Sequence, residues 1–129
     1  YTDVMRVDDE LELRVKYKLT ENFNLLHLNY HFKNEQGDKI FSVNATEEQI
    51  YYNHNKGEYI QKCLIPSNFF NWGSFSIDLY VVENLGYAFI IQPDILTYTL
   101  VNKERILGEW MGREPGDVTP KFEFHEYQT

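Results

Sequence analysis

Between Glu10 and Leu19 the chain alternates strictly, with Leu11, Leu13, Val15, Tyr17 and Leu19 on one side and Glu12, Arg14, Lys16 and Lys18 on the other. Successive side chains leave a pleated backbone in opposite directions, so a period of two predicts a strand with one face buried. The period returns from Leu25 to Lys33, where Leu26, Leu28, Tyr30 and Phe32 oppose His27, Asn29 and His31. It returns again from Ser74 to Val82, setting Phe75, Ile77, Leu79 and Val81 against Ser76, Asp78 and Tyr80. Ile95 to Val101 places Leu96, Tyr98 and Leu100 inward and Thr97 and Thr99 outward. Ile40 to Val43, Glu58 to Ile65 and a last short run, Lys121 to Glu126 with Phe122 and Phe124 on one face, complete the predicted strands.

Turn-forming residues separate these runs. Thr20 to Asn24 is polar, and Glu35-Gln36-Gly37-Asp38 closes a predicted hairpin in which Gly37 is free to take a positive φ. Pro66 stops one strand because it has no N–H for a ladder. Asn68 to Trp72, closed by Gly73, reads as a turn, as do Asn84-Leu85-Gly86 and Pro93-Asp94. Ala45 to Lys56 has no clean period and reads as an excursion across one edge, with room for a short helical turn. Asn102 to Pro120 contains Gly108, Gly112 and Pro115-Gly116 and is a long connector of the kind that is usually functional or mobile. About eight strands spaced by turns, without an extended amphipathic helix, predict a two-layer antiparallel β-sandwich.

Composition narrows the function classes. A chain of 129 residues with 43% hydrophobic content suits one domain spanning 1–129. Twelve Lys and Arg against twenty Asp and Glu give a net charge of −8, which repels a phosphate backbone and an anionic membrane alike. No nucleic-acid partner is expected. Apolar runs such as Ala88 to Ile91 are far shorter than the roughly 20 residues of a membrane-spanning helix. Ten Tyr, nine Phe and two Trp favour strands over helices. Cys63 is the sole cysteine, which excludes an internal disulfide and Cys-rich metal knuckles and fits a reducing compartment. The chain opens on Tyr1 rather than Met and is expected to be a fragment or processed form of a longer protein.

Catalytic and metal signatures are weak. His27 and His31 on a strand lie roughly 13 Å apart, too far to grip one ion. His54 and His125 have no ligand pattern around them and are expected at solvent, and Asp8-Asp9-Glu10 is expected to be a solvated turn. The chain has neither a Gly-x-Ser-x-Gly elbow nor a phosphate-cradling loop, so it is not expected to hydrolyse ATP by itself. Cys63, within an alternating strand, reads as a small buried hydrophobe. Asn44-Ala45-Thr46 matches a glycosylation sequon, which matters only in a secretory compartment. No cofactor or metal is expected.

A distributed signal is more informative. The predicted outward faces contribute His27, Asn29 and His31, then Ser76, Asp78 and Tyr80, then Thr97 and Thr99. If their strands neighbour one another, these eight residues form one polar surface. A saccharide suits such a surface, because its hydroxyls donate and accept hydrogen bonds while its C–H faces lie on aromatic rings. An ordinary solvated sheet face is the alternative, although that would more commonly carry Lys and Glu, as Glu12 to Lys18 does. Tyr51, Tyr52 and Trp72 fit either a cap on the core or a binding role.

Four stretches in order carry a family resemblance: Glu10-Leu11-Glu12-Leu13-Arg14-Val15; the hairpin from Phe32 to Phe41; Ile65-Pro66-Ser67-Asn68-Phe69 followed by Trp72-Gly73-Ser74-Phe75; and Gly112-Arg113-Glu114-Pro115-Gly116-Asp117-Val118 before a final aromatic strand. Across nearly its whole length the chain resembles the C-terminal carbohydrate-binding domain of Wzt-type ATPase subunits, from ABC transporters that export O-antigen polysaccharides. The resemblance implies a jelly-roll or immunoglobulin-like sandwich. It also implies non-catalytic, cytoplasmic binding of finished polysaccharide, often at a modified non-reducing end. Implied partners are the polysaccharide, an ATPase domain on the same full-length chain, a transmembrane exporter subunit at the inner face of the cytoplasmic membrane, and a second copy. In the family the last strand can be exchanged within a homodimer, and Asn102 to Pro120 is long enough for that. No individual contact carries over. Two rivals stand beside this expectation: a glycan-active or cupin-like enzyme on the same sandwich, and an extracellular adhesion or structural domain binding protein through a sheet edge.

Overall fold

The computed structural model describes residues 4–44, 54–84, 88–103, 113, 115–120 and 122–128. Seven strands lie in them: β1 (Met5–Arg6), β2 (Leu11–Leu19), β3 (His27–Lys33), β4 (Lys39–Asn44), β5 (Gly57–Ile65), β6 (Gly73–Val82) and β7 (Ala88–Val101). They form a five-stranded sheet in the order β1-β7-β6-β3-β4 and a two-stranded ribbon, β2-β5. Every pairing is antiparallel except that of β1, which runs parallel to β7 through Met5↔Leu100 and Arg6↔Val101. The two-layer sandwich is as expected. The parallel edge is not: a two-residue strand at the start of the chain carries no period from which a partner or direction can be read.

The inward faces of the two layers meet in one core. Leu13 of the ribbon packs with Leu28, Tyr30, Phe32, Phe75, Ile77 and Leu100 of the sheet, and Val15, Tyr17, Cys63 and Ile65 border them. Cys63 therefore serves as a half-buried apolar residue, and burial pushes its thiol pKa up. Tyr30 turns its polar end to the opposite layer, where its hydroxyl donates to Gln61 Oε1. Burial above all, then the neighbouring Cys63, raises the Tyr30 pKa and keeps that hydroxyl protonated.

The hub of the core comes from the segment read as a turn. Phe70, 2% exposed, lies within 6.0 Å ring to ring of Phe32, Phe41, Phe69, Phe75 and Tyr98. A segment from the C-terminal part of the chain holds it in place. Phe70 bridges Val118, the Thr119 N–H donates to Phe69 O at 2.7 Å, and Asn71 donates from its side chain to Gly116 O at 2.9 Å. This part of the predicted connector is thus stitched to the core, whereas residues 104–112 lie outside the described ones. So do Tyr51, Tyr52 and most of the Ala45 to Lys56 excursion.

Two expected features differ. The Pro93-Asp94 turn is a bulge inside an unbroken β7: Ile77 pairs with Leu96 and Leu79 with Gln92, so β7 spends two extra residues opposite Asp78. Asp94 there takes φ 51°, a left-handed conformation that Asp tolerates better than most residues. The predicted final strand is not seen: among the described residues, 122–128 form no ladder, and Phe122 and Phe124 are 75% and 89% exposed, while Lys121 lies outside the described residues. Their alternation is present, but among the described residues no sheet edge receives it. The hairpin turn is as read, with Gly37 at φ 87° and Asn34 Oδ1 accepting from the N–H groups of Gln36 and Asp38. Asp8-Asp9-Glu10 is a turn in which Asp9 Oδ2 accepts the Arg6 N–H at 2.8 Å.

Candidate functional site

The outward side of the five-stranded sheet collects the polar residues of four strands. Register sets them in rows. Asn29 of β3 lies between Asn44 of β4 and Tyr80 of β6, and His31 lies between Ser42 and Asp78. Ser76 lies between Lys33 and Thr97, and Ser74 lies beside Thr99. His27 stands at the end of β3 opposite Val82. Cross-strand partners share a face, so all eight sequence-predicted residues stand on this one surface. At about 4.8 Å per strand and 3.4 Å per residue, the surface is roughly 14 Å on a side.

The eight are not equivalent. Thr97 and Thr99 are exposed, Asn29, His31, Ser76 and Tyr80 are half-buried, and His27 and Asp78 are buried at 9% exposure. The His31 and Tyr80 rings stack at 4.0 Å with 21° between planes, and the Lys39 ammonium stands 5.7 Å from the Tyr80 centroid. Burial, then the nearby Lys39 charge, lowers the His31 pKa against the opposing pull of Asp78, which favours the neutral imidazole. His27 Nδ1, Asn29 Oδ1 and His31 Nδ1 are buried without hydrogen-bond partners among the described residues. Buried unpaired polar atoms cost about 1–3 kcal/mol each, so this row along β3 is held at some cost to stability.

Asp78 is already engaged. Its Oδ1 accepts the Asp94 N–H at 2.8 Å and pairs with Lys33 Nζ at 2.9 Å, while Asp94 Oδ1 binds the same ammonium at 2.8 Å. Burial works to raise the Asp78 pKa, but the Asp94 amide and Lys33 outweigh it and leave the carboxyl below its ordinary range. The Lys33 pKa is raised, first by its hydrogen bond to Asp94 and then by that to Asp78. This cluster closes the β7 bulge. A general acid for glycoside hydrolysis needs the opposite shift to that of Asp78. Among the described residues, no group of three or more His, Cys, Asp or Glu could hold a metal ion.

With this geometry in place, one solved structure is informative. The crystal structure of the C-terminal domain of Wzt superposes on the chain with a TM-score of 0.69 at 12% identity, covering 98% of this chain and 75% of that one. The chain shares the fold of the Wzt C-terminal domain. No family model matches the sequence, and no curated protein matches it. At that identity the likeness is one of backbone architecture, and in this Wzt-like sandwich the polar surface belongs to the larger sheet.

Several residues of the surface escaped sequence reading. Ser74 and Lys33 continue the polar alternation of β6 and β3 by one step each, and Ser42 and Asn44 alternate with Phe41 and Val43, so the signal was present. Nothing local announces Lys39, which reaches Tyr80 only because β4 folds beside β3. His54, expected at solvent, is instead half-buried, bridges Phe23 and leans on Tyr59. Arg113 donates from Nε and Nη2 to Trp72 O and stands over the Trp72 ring, so both residues serve to fasten the segment after residue 112.

Proposed function

We propose that the chain is a non-catalytic polysaccharide-binding domain, with the polar side of the five-stranded sheet as its groove. The observation that carries this reading is the gathering of His27, Asn29, His31, Ser76, Asp78, Tyr80, Thr97 and Thr99 on one surface beside an open Tyr80–His31 stack. Amide, hydroxyl and imidazole groups match the mixed donor and acceptor character of sugar hydroxyls, and the ring stack offers an apolar platform. Asp78 acts by pinning the β7 bulge, and the neighbouring side chains face the ligand. The Wzt-like fold supports a role in bringing an O-antigen-like polysaccharide, by its modified non-reducing end, to an ABC exporter at the cytoplasmic face of the inner membrane. An ATPase domain on the full-length chain and a transmembrane subunit would then be its partners. The test is retention on immobilised O-antigen-type polysaccharides: His31→Ala and Tyr80→Ala should retain less while keeping the wild-type circular dichroism and melting profile. Unchanged retention in both variants would remove the groove assignment.

A second copy as partner is favoured by the mismatch between the layers. Ile90 and Leu96, paired with core-lining Val81 and Ile77, remain 41% and 42% exposed, and among the described residues only two strands face the five-stranded sheet. Meanwhile Phe122 and Phe124 have no strand partner among the described residues. Exchange of this last segment between two copies would supply the thinner layer with a strand and bury these rings. Light scattering should give a dimer for the wild type and a monomer for Phe122→Glu/Phe124→Glu. A dimer that survives the double substitution would exclude exchange through these rings.

A further inference from the structure

On the polar side of the larger sheet one ammonium group, that of Lys39, has no acidic partner among the described residues. An irregularity at the start of β4 puts it there. Phe32 pairs with Phe41 and Lys33 with Lys39, so Ile40 is an extra residue in β4; a regular register would have set Ile40, not Lys39, opposite Lys33. Ile40 packs against the core instead, and Lys39 rises on the side of its partner Lys33, which is that of the groove. The Lys39 Nζ stands 5.7 Å from the Tyr80 centroid, and the Tyr80 and His31 rings lie 4.0 Å apart. Ammonium, phenol and imidazole from three neighbouring strands thus meet at one place on the surface.

The two lysines of this pair have different tasks. Lys33 is held between Asp78 and Asp94 and closes the β7 bulge. Lys39 is exposed, and its charge is felt at the ring stack: burial lowers the His31 pKa first and Lys39 second, against Asp78. The groups that face His31 are therefore Lys39 of β4 and Asp78 and Tyr80 of β6, with the Asp78 charge offset by Lys33. In a chain of net charge −8, Lys39 is the cation on this surface that an anion can reach without breaking an ion pair. Its single charge suits a carboxylate. A phosphate monoester, at about −1.5 to −2 near pH 7, would be less well compensated and would meet the excess negative charge of the Asp78–Lys33–Asp94 cluster.

We propose that Lys39 is a specificity-determining residue of the sheet groove, meeting the carboxylate of a uronic acid residue whose sugar ring lies beside His31 and Tyr80. The proposal rests on the reading of the chain as a polysaccharide binder and names the substrate class of that same surface. The test is a nuclear magnetic resonance titration of the whole chain with the methyl glycosides of glucuronate, galacturonate and mannuronate, each beside its neutral hexoside and its hexoside 6-phosphate. At least one uronide should shift the amides around His31, Lys39 and Tyr80 and bind about fivefold tighter than its neutral hexoside, with the preference shrinking as salt rises from about 50 to about 300 mM. The same uronide should raise the midpoint of the His31 imidazole titration, because a carboxylate beside the ring favours its charged form. Lys39→Gln should bring the uronide-to-hexoside ratio close to one and Lys39→Arg should keep it, both with a dispersed spectrum, since the residue is exposed. A uronide preference that persists in Lys39→Gln, equal wild-type affinities for every uronide and its hexoside, or tighter binding of a 6-phosphate than of its uronide would overturn this assignment and leave the groove standing. No shift around His31 and Tyr80 with any probe would remove the groove and the role of Lys39 together.

Discussion

The two outer faces of the sandwich solve the same problem, presenting a sheet to water, with different chemistry. The outer side of the ribbon shows the charged Glu12, Arg14, Lys16, Lys18, Glu58 and Lys62, with the aliphatic Ile60 and Leu64 exposed among them. The larger sheet shows Asn29, His31, Ser74, Ser76, Tyr80, Thr97 and Thr99, short or planar groups, several of them half-buried. Long charged chains screen a surface and move freely, and their removal costs little. Short polar groups in fixed rows lose little entropy when a ligand binds them. The contrast marks the larger sheet as the surface organised for hydrogen bonding and the ribbon as the surface organised for charge.

Substitutions can break or sharpen that contrast. The largest effect belongs to the core that both faces share: Phe70→Ala should cost about 3–5 kcal/mol in chemical denaturation and loosen both faces together. Asp78→Ala comes next. It leaves the Asp94 N–H in the β7 bulge without its acceptor, and a loss of about 1–3 kcal/mol is expected, confined in hydrogen exchange to β6 and β7. Because the folded-state Asp78 pKa is depressed, the carboxylate stabilises the fold fully above the ordinary aspartate value, near 3.9, and loses that contribution as pH falls through its lower folded value. The raised Lys33 pKa acts at the other end, stabilising below the ordinary lysine value and ceasing to do so as pH rises through its higher folded value. Acid titration of wild type and Asp78→Asn should therefore diverge below about pH 4, the variant showing the flatter limb. Tyr80→Ala should weaken polysaccharide retention by about threefold to tenfold, the scale of one aromatic contact. Smallest of all, Arg14→Ala on the ribbon should change stability by less than about 0.5 kcal/mol, although Arg14 contacts Glu12 at 2.9 Å, since that pair is exposed. A loss from Arg14→Ala as large as that from Asp78→Ala would erase the distinction between the faces.

Much of the candidate groove was legible because strand period two is a local property. Once Leu28, Tyr30 and Phe32 are inward, Asn29 and His31 must be outward, and the same holds for Phe75 and Ile77 against Ser76 and Asp78. The burial of Asp78 was not legible, because it comes from a bulge sixteen residues later in the chain, nor was that of Phe70, whose neighbours have no period. Pro93-Asp94 misled because a residue pair that favours a turn is equally suited to a bulge when the strand has pairing partners on both sides of it.

By itself, the sequence determined which residues alternate into strands and which side of each strand is apolar, since those depend on neighbours one or two positions away. The tertiary structure decided which strands lie side by side, and so brought His31 onto Tyr80, Lys39 over the same ring, Lys33 between two carboxylates and Tyr17 onto Tyr59. It also left Phe122 and Phe124 at solvent, although their pattern is that of a strand. Pairing depends on edges supplied by distant parts of the chain or by another chain, and no local pattern of side chains encodes which edge is free.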